Sequence, residues 1–158
     1  MTTMFDDLRD LYQEVILDHG RKPRNFRRLD NATRSARGDN PMCGDRMELF
    51  LALDQDGTIA DAAFQGRGCA ISIASASLMT ETIKGRSPDG ARALGEAFRG
   101  FAKTGACPVC DAGLSEAMER LAPLSGVHEF PSRVKCATLA WHTLNAALDG
   151  EGREASSE

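Results

Sequence analysis

The run GRGCAIS at residues 66–72 constrains the fold of this 158-residue chain more than any other stretch. An alternating apolar pattern before it predicts a strand, and small residues after it predict a helix, so its two glycines mark a strand-to-helix joint. Cys69 is then expected at the helix N-terminus, where unpaired backbone N–H groups favour thiolate over thiol. That position suits a metal ligand or a nucleophile.

Two further cysteines occupy comparable joints: Cys43, in the run Cys43-Gly44-Asp45, and Cys136. Gly44 permits a turn that points Cys43 and Asp45 toward one centre, and Cys69 and Cys136 bring the candidate ligands to the four that zinc prefers. Three sulfurs and one carboxylate are uncommon for a purely structural zinc site, and a carboxylate exchanges more readily than a thiolate. Spacing alone leaves two alternatives open, a shared metal site and three separate buried thiols.

The remaining pattern predicts an α+β domain in which helices cover a small antiparallel sheet of about three strands. Alternating apolar residues predict strands over 47–53 and 58–65, joined as a hairpin, and a short strand is expected near 33–37. Apolar periodicity and capping residues predict helices over 4–18, 70–84, 88–102, 114–121 and 133–149. Residues 1–149 are expected to form one domain, and the polar residues 150–158 a disordered tail.

Composition restricts the class of function. The chain has 23 acidic and 19 basic residues and a net charge of −4, which gives no reason to expect a nucleic-acid partner. No apolar run approaches the length of a membrane span and no signal-peptide pattern is visible, so we expect a cytoplasmic protein with no membrane partner. Five cysteines is an odd number, which favours metal or catalytic use over a disulfide framework.

The cysteine motifs together resemble the NifU-like, or IscU-type, iron–sulfur cluster assembly family. The matching runs are DNPMCGD at 39–45, GRGCAISIASAS at 66–77 and KCATLAW at 135–141, and the resemblance extends from residue 5 to about 149. Lys135 stands where scaffold-type IscU proteins carry a histidine, and the long segment 86–122 between the second and third cysteines is similar to that of SufU proteins. The resemblance is therefore closer to the SufU branch, and it implies a NifU/IscU-like fold.

Membership of the SufU branch implies a zinc-dependent sulfurtransferase of iron–sulfur cluster biogenesis. Such a protein accepts persulfide sulfur from a SufS-type cysteine desulfurase, stimulates that enzyme, and passes the sulfur toward the SufBCD assembly complex. The resemblance implies zinc on Cys43, Asp45, Cys69 and Cys136, with Cys43 as the sulfur acceptor that a desulfurase histidine displaces from the metal. Two alternatives stay open: a scaffold on which the same residues hold a nascent iron–sulfur cluster, and a structural zinc module without transfer activity.

Two features fall outside this pattern. Cys107 and Cys110 form a Cys-Pro-x-Cys pair, which is interpreted either as part of an ordinary loop or as a reversible disulfide. Arg133 and Lys135 lie close to Cys136 in the sequence. Three interpretations stay open: they lower the pKa of its thiol, they steer a persulfide, or they are simply solvated. The three histidines of the chain match no ligand position of the family.

Overall fold

A computed structural model describes residues 4–41, 44–105, 112–149 and 153–156, so Cys43, Cys107 and Cys110 lie outside the described residues. The elements, in chain order, are α1 (Met4–Arg21), β1 (Arg34–Asn40), β2 (Asp45–Leu53), β3 (Ile59–Arg67), α2 (Ala70–Ile83), α3 (Pro88–Thr104), α4 (Ala112–Leu121), a 3-10 helix (Ala122–Glu129), α5 (Pro131–Leu148) and β4 (Arg153–Ser156). None of the described helices is long and apolar enough to cross a lipid bilayer.

The sheet has the strand order β3-β2-β1-β4, and β2 pairs antiparallel with both β1 and β3. The predicted α+β class and the three antiparallel strands are therefore confirmed. At one end of the sheet Asn40 pairs with Asp45, and Arg46 pairs with Arg67. This register brings the β1–β2 connection next to the joint between β3 and α2, which is where the sequence places its cysteines.

One face of the sheet carries the main hydrophobic core. Leu49, Leu51 and Phe64 are fully buried there, and α2, α3 and α5 supply the opposing side chains. On the helical side the Trp141 ring stacks on Phe98 with a centroid separation of 5.0 Å. The small residues of α2 let α5 approach closely, since the Ser75 hydroxyl donates directly to a backbone carbonyl of α5. The core thus fixes α2 and α5, the two helices that carry Cys69 and Cys136.

The tail departs from the sequence prediction. Residues 150–158 are expected to be disordered, yet Arg153–Ser156 forms β4, which pairs parallel with Ala36–Asp39 of β1. An edge strand presents a row of unpaired backbone N–H and C=O groups, and a polar segment can satisfy them without burying apolar side chains. Because such pairing needs no apolar side chains, the sequence of the tail shows no hydrophobic periodicity from which a strand could be predicted. The prediction of disorder is wrong for 153–156.

Candidate metal centre

The strand-to-helix joint has the geometry that the sequence predicts. Cys69 is the N-cap of α2, with an extended backbone (φ −69°, ψ 166°), and its Sγ accepts the N–H of Ser72 at 3.4 Å. A Cβ at Gly68 would lie 2.6 Å from Oδ1 of Asp45, so only glycine lets the joint approach that carboxylate. The helix N-terminus and the Ser72 N–H thus direct partial positive charge at the Cys69 sulfur.

The structure brings three of the four predicted ligands together. The ligand atoms of Asp45, Cys69 and Cys136 all lie within 4.8 Å of one another. Asp45 Oδ1 accepts the backbone N–H of Cys69 at 3.0 Å, which leaves Oδ2 facing Cys69 Sγ at 4.0 Å. In tetrahedral zinc sites, with Zn–S bonds near 2.3 Å, neighbouring sulfurs are roughly 3.8 Å apart. Small side-chain adjustments would therefore place all three atoms on one ion.

Burial and charge make this group suitable for a cation. Asp45 is 1% exposed and Cys136 is 4% exposed, whereas Cys69 reaches the surface. Within the described residues no lysine, arginine or histidine forms a salt bridge with Asp45. A buried carboxylate without a compensating positive charge is costly, and a metal ion is the usual alternative to an ion pair. Two thiols and a carboxylate are donors that zinc accepts, so the residues present fit that metal.

Asn40 is a component of the site that the sequence argument missed. It is fully buried at the end of β1, and its Nδ2 lies 3.9 Å from Cys136 Sγ, within reach of a long N–H···S contact. Its Oδ1 has no hydrogen-bond partner among the described residues. An amide N–H directed at a sulfur favours the thiolate form and supports a metal ligand from outside the coordination sphere. In the sequence, Asn40 before Pro41 reads only as a turn signal.

Cys43 lies in the connection between β1 and β2 and outside the described residues, so its place on the metal stays a prediction. The described ends of that connection form a tight turn. Gly44 adopts a left-handed conformation (φ 72°), and its N–H donates to the Asn40 carbonyl at 2.9 Å. The turn expected at Gly44 is therefore present, and it leads directly into Asp45.

The other residues singled out by the sequence lie outside the metal group. The Arg133 guanidinium lies 4.6 Å from the centroid of the exposed Phe130 ring. Lys135 faces a groove on the far side of α5. His19 is buried, and its Nδ1 lies 2.7 Å from the Ser77 hydroxyl. Burial is the main cause that lowers the pKa of His19, and the Arg24 charge acts in the same direction.

The chain is similar to known proteins over most of its length. The family described as the NifU-like N terminal domain matches residues 11–107. A zinc-dependent sulfurtransferase SufU from Bacillus subtilis (strain 168) is 39% identical over 146 residues, which is 92% of this chain and 94% of that protein. An iron–sulfur cluster assembly scaffold protein IscU from Streptococcus pyogenes serotype M1 is 39% identical over 89% of this chain and 84% of its own.

A solved structure adds a match in three dimensions. The crystal structure of a candidate iron–sulfur cluster assembly scaffold protein for the SUF system, from Fervidobacterium islandicum AW-1, superposes with a TM-score of 0.74. It is 31% identical and covers 85% of this chain and 94% of that one. Motifs, fold and relatives agree over most of the chain. It therefore belongs to the NifU-like family of iron–sulfur cluster assembly proteins.

Proposed function

We propose that this protein is a zinc-dependent sulfurtransferase of the SUF type, which accepts persulfide sulfur from a SufS-type cysteine desulfurase and delivers it toward a SufBCD-type complex. The observation that carries the proposal is the buried Asp45 carboxylate placed against the sulfurs of Cys69 and Cys136. Purely structural zinc sites are usually built from cysteine and histidine, and a carboxylate ligand points to exchange at the metal.

Cys69 and Cys136 are expected to stay bound to the metal. Cys69 is fixed at the cap of α2, and Cys136 is buried in α5 beside Asn40. The Cys136 sulfur is buried, so moving it would disturb packing, whereas Cys69 reaches the surface and is held by its backbone position at the cap of α2. Cys43 belongs instead to the short connection 41–44, whose ends are set by the Asn40–Asp45 pair. We therefore assign Cys43 as the thiol that leaves the metal and accepts sulfur.

The proposed transfer is a thiol–persulfide exchange. Bound zinc would hold the Cys43 sulfur as a thiolate at neutral pH while limiting its reactivity. Once free, the Cys43 thiolate attacks the terminal sulfur of the donor's cysteine persulfide. A new S–S bond forms to Cys43, the donor S–S bond breaks, and the donor cysteine leaves as a thiolate. No net oxidation occurs, and reduced thiols are required throughout, in keeping with a cytoplasmic protein.

A cluster scaffold is the second candidate, and the IscU relative at 39% identity favours it. The same thiolates and Asp45 could hold a nascent iron–sulfur cluster, since such clusters are commonly held by cysteine thiolates. Lys135 argues against the scaffold function, because it occupies the position where scaffold-type IscU proteins carry a histidine. A structural zinc module is the third alternative, and it predicts no effect on a desulfurase.

Stimulation of a cysteine desulfurase separates sulfur transfer from a structural zinc module. Addition of the purified protein to a SufS-type enzyme with cysteine as substrate should raise the rate of alanine release, and Cys43→Ala should abolish the increase. Cys107→Ser is the matched control because Cys107 lies outside the proposed ligand set, and it should stimulate like the unaltered protein. No stimulation, or equal stimulation by Cys43→Ala, would rule the transfer function out.

A further inference from the structure

A basic groove lies between α3, the 3-10 helix and α5, apart from the metal centre. Its volume is about 430 Å³, and it is lined by Arg99, Lys103, His128, Pro131, Val134, Lys135, Thr138 and His142. Small-molecule sites commonly enclose about 300–1,000 Å³, so the groove is of the size of a ligand site. None of the residues assigned to sulfur transfer lines it.

Helix geometry explains why the cations converge. Arg99 and Lys103 are four residues apart on α3 and therefore project from the same face. Lys135, Thr138 and His142 recur on one face of α5, whereas Cys136 turns toward β1 and the metal group. Because α3 and α5 pack against each other, these two polar faces meet along the groove. The groove and the metal centre thus occupy opposite sides of α5.

The charge of the groove is opposite to that of the chain. The whole chain has a net charge of −4, yet the groove is lined by one arginine, two lysines and two imidazoles. None of its described lining residues is acidic, and the nearby Glu96 pairs with Arg99 at 3.0 Å while remaining largely exposed. Within the described residues, neither Lys103 nor Lys135 has a salt-bridge partner. Clustered like charges repel one another, and a bound anion would relieve that repulsion.

The two histidines would donate to an anion only when their rings are protonated, because a neutral ring with its proton on Nδ1 leaves Nε2 as an acceptor. His128 Nδ1 lies 2.6 Å from the Ser125 carbonyl, and because a carbonyl only accepts, Nδ1 carries the proton. Burial lowers the pKa of His142, the Arg99 and Lys103 charges lower it further, and Glu96 acts in the opposite direction. Lys135 and His128 face the same groove from α5 and the 3-10 helix. An anion bound among these groups would favour the imidazolium form and so raise the pKa of His142.

We propose that this groove is a binding site for a phosphate group, either free pyrophosphate or the phosphate of a small ester. The Arg99 guanidinium offers the planar fork that matches phosphate oxygens, and Lys103 and Lys135 add point charges. Pro131 and Val134 provide an apolar wall for the organic part of an ester. The site is independent of the proposed sulfur transfer, because it uses none of the metal ligands.

The imidazole rings report binding directly. The chain has only three histidines, two of which line the groove, while His19 lies buried between α1 and α2 and serves as an internal reference. Two-dimensional NMR of the rings should follow titrations with pyrophosphate and with adenosine 5′-monophosphate at constant ionic strength. We expect saturable shifts of His128 and His142, a raised pKa for His142 and an unchanged His19. Tighter binding of the monophosphate would identify an ester as the source, and tighter binding of pyrophosphate the free anion.

Paired variants test the site itself. Arg99→Gln combined with Lys103→Gln should weaken binding by at least roughly tenfold, since two charge-assisted contacts are lost. Arg92→Gln is the matched control, because Arg92 lies on the same helix but pairs with Asp149 outside the groove. An unchanged His19 signal verifies that each variant is folded. The site is refuted if both phosphate titrations shift the histidine signals no more than sodium chloride does. It is also refuted if Arg92→Gln weakens binding as much as the double variant, or if a polyglutamate peptide binds more tightly than either phosphate.

Discussion

Replacing Asp45 with asparagine is expected to remove zinc from the protein while leaving the fold in place. The amide oxygen can still accept the Cys69 N–H that Asp45 Oδ1 accepts at 3.0 Å, so the joint keeps its hydrogen bond. A neutral amide, however, supplies neither the charge nor the ligand strength of the carboxylate. Loss of a partner outside the coordination sphere typically costs about 10–100-fold in metal affinity, and loss of a direct ligand should exceed that. Competition with a chromophoric chelator measures the change.

Asp39→Asn is the control for the loss of one negative charge near the site. Asp39 lies on β1, close to Asp45, but it pairs with Arg46 at 3.6 Å and does not belong to the metal group. Its replacement should leave zinc affinity within about twofold of the unaltered protein, because exposed ion pairs contribute little. Wild-type affinity in Asp45→Asn, or an equal loss in Asp39→Asn, would contradict the assignment of Asp45 as a ligand.

Replacing Gly68 with alanine is expected to lower the affinity for zinc nearly as much as Asp45→Asn does. A Cβ there would lie 2.6 Å from Oδ1 of Asp45, so the carboxylate must move away from the Cys69 N–H. Zinc affinity should fall as in Asp45→Asn, and the free energy of unfolding should drop by about 1–3 kcal/mol, which is typical of overpacking. Chelator competition and urea denaturation on the same preparation measure both quantities.

Gly126→Ala controls for the loss of a glycine. A Cβ at Gly126 meets nothing within 4 Å, and Gly126 does not have a positive φ. This variant should therefore retain both zinc and stability. If Gly68→Ala also binds zinc normally, the close approach of the joint to Asp45 is not needed for the site.

Local signals made part of this structure predictable. The hairpin of β2 and β3 follows from alternating apolar residues, and the position of Cys69 follows from glycines that precede a run of small residues. Each of these signals lies within a dozen residues of the feature it predicts. Its position at a similar joint made Cys136 a candidate ligand, and the family resemblance implied that it shares a site with Cys69. It reaches Cys69 only through the packing of α5 against α2 and the sheet.

Features that depend on contacts between distant parts of the chain could not be predicted from the sequence. Asn40 contacts Cys136 across nearly a hundred residues, and nothing near Asn40 in the sequence marks it as a partner of a sulfur. The basic groove likewise arises because α3 and α5 pack together, although their cations are unremarkable along the chain. β4 is polar and has no apolar period, so its pairing with the edge of β1 carries no sequence signal.

X-ray absorption at the zinc edge, on protein purified without chelator, tests the proposed metal centre most directly. We predict about one zinc per chain, with three sulfur ligands near 2.3 Å and one oxygen ligand at about 2.0–2.2 Å. That set corresponds to Cys43, Asp45, Cys69 and Cys136, and Asp45→Asn should lose it. Iron with acid-labile sulfide in place of zinc, or a zinc shell without the oxygen ligand, would contradict the assignment.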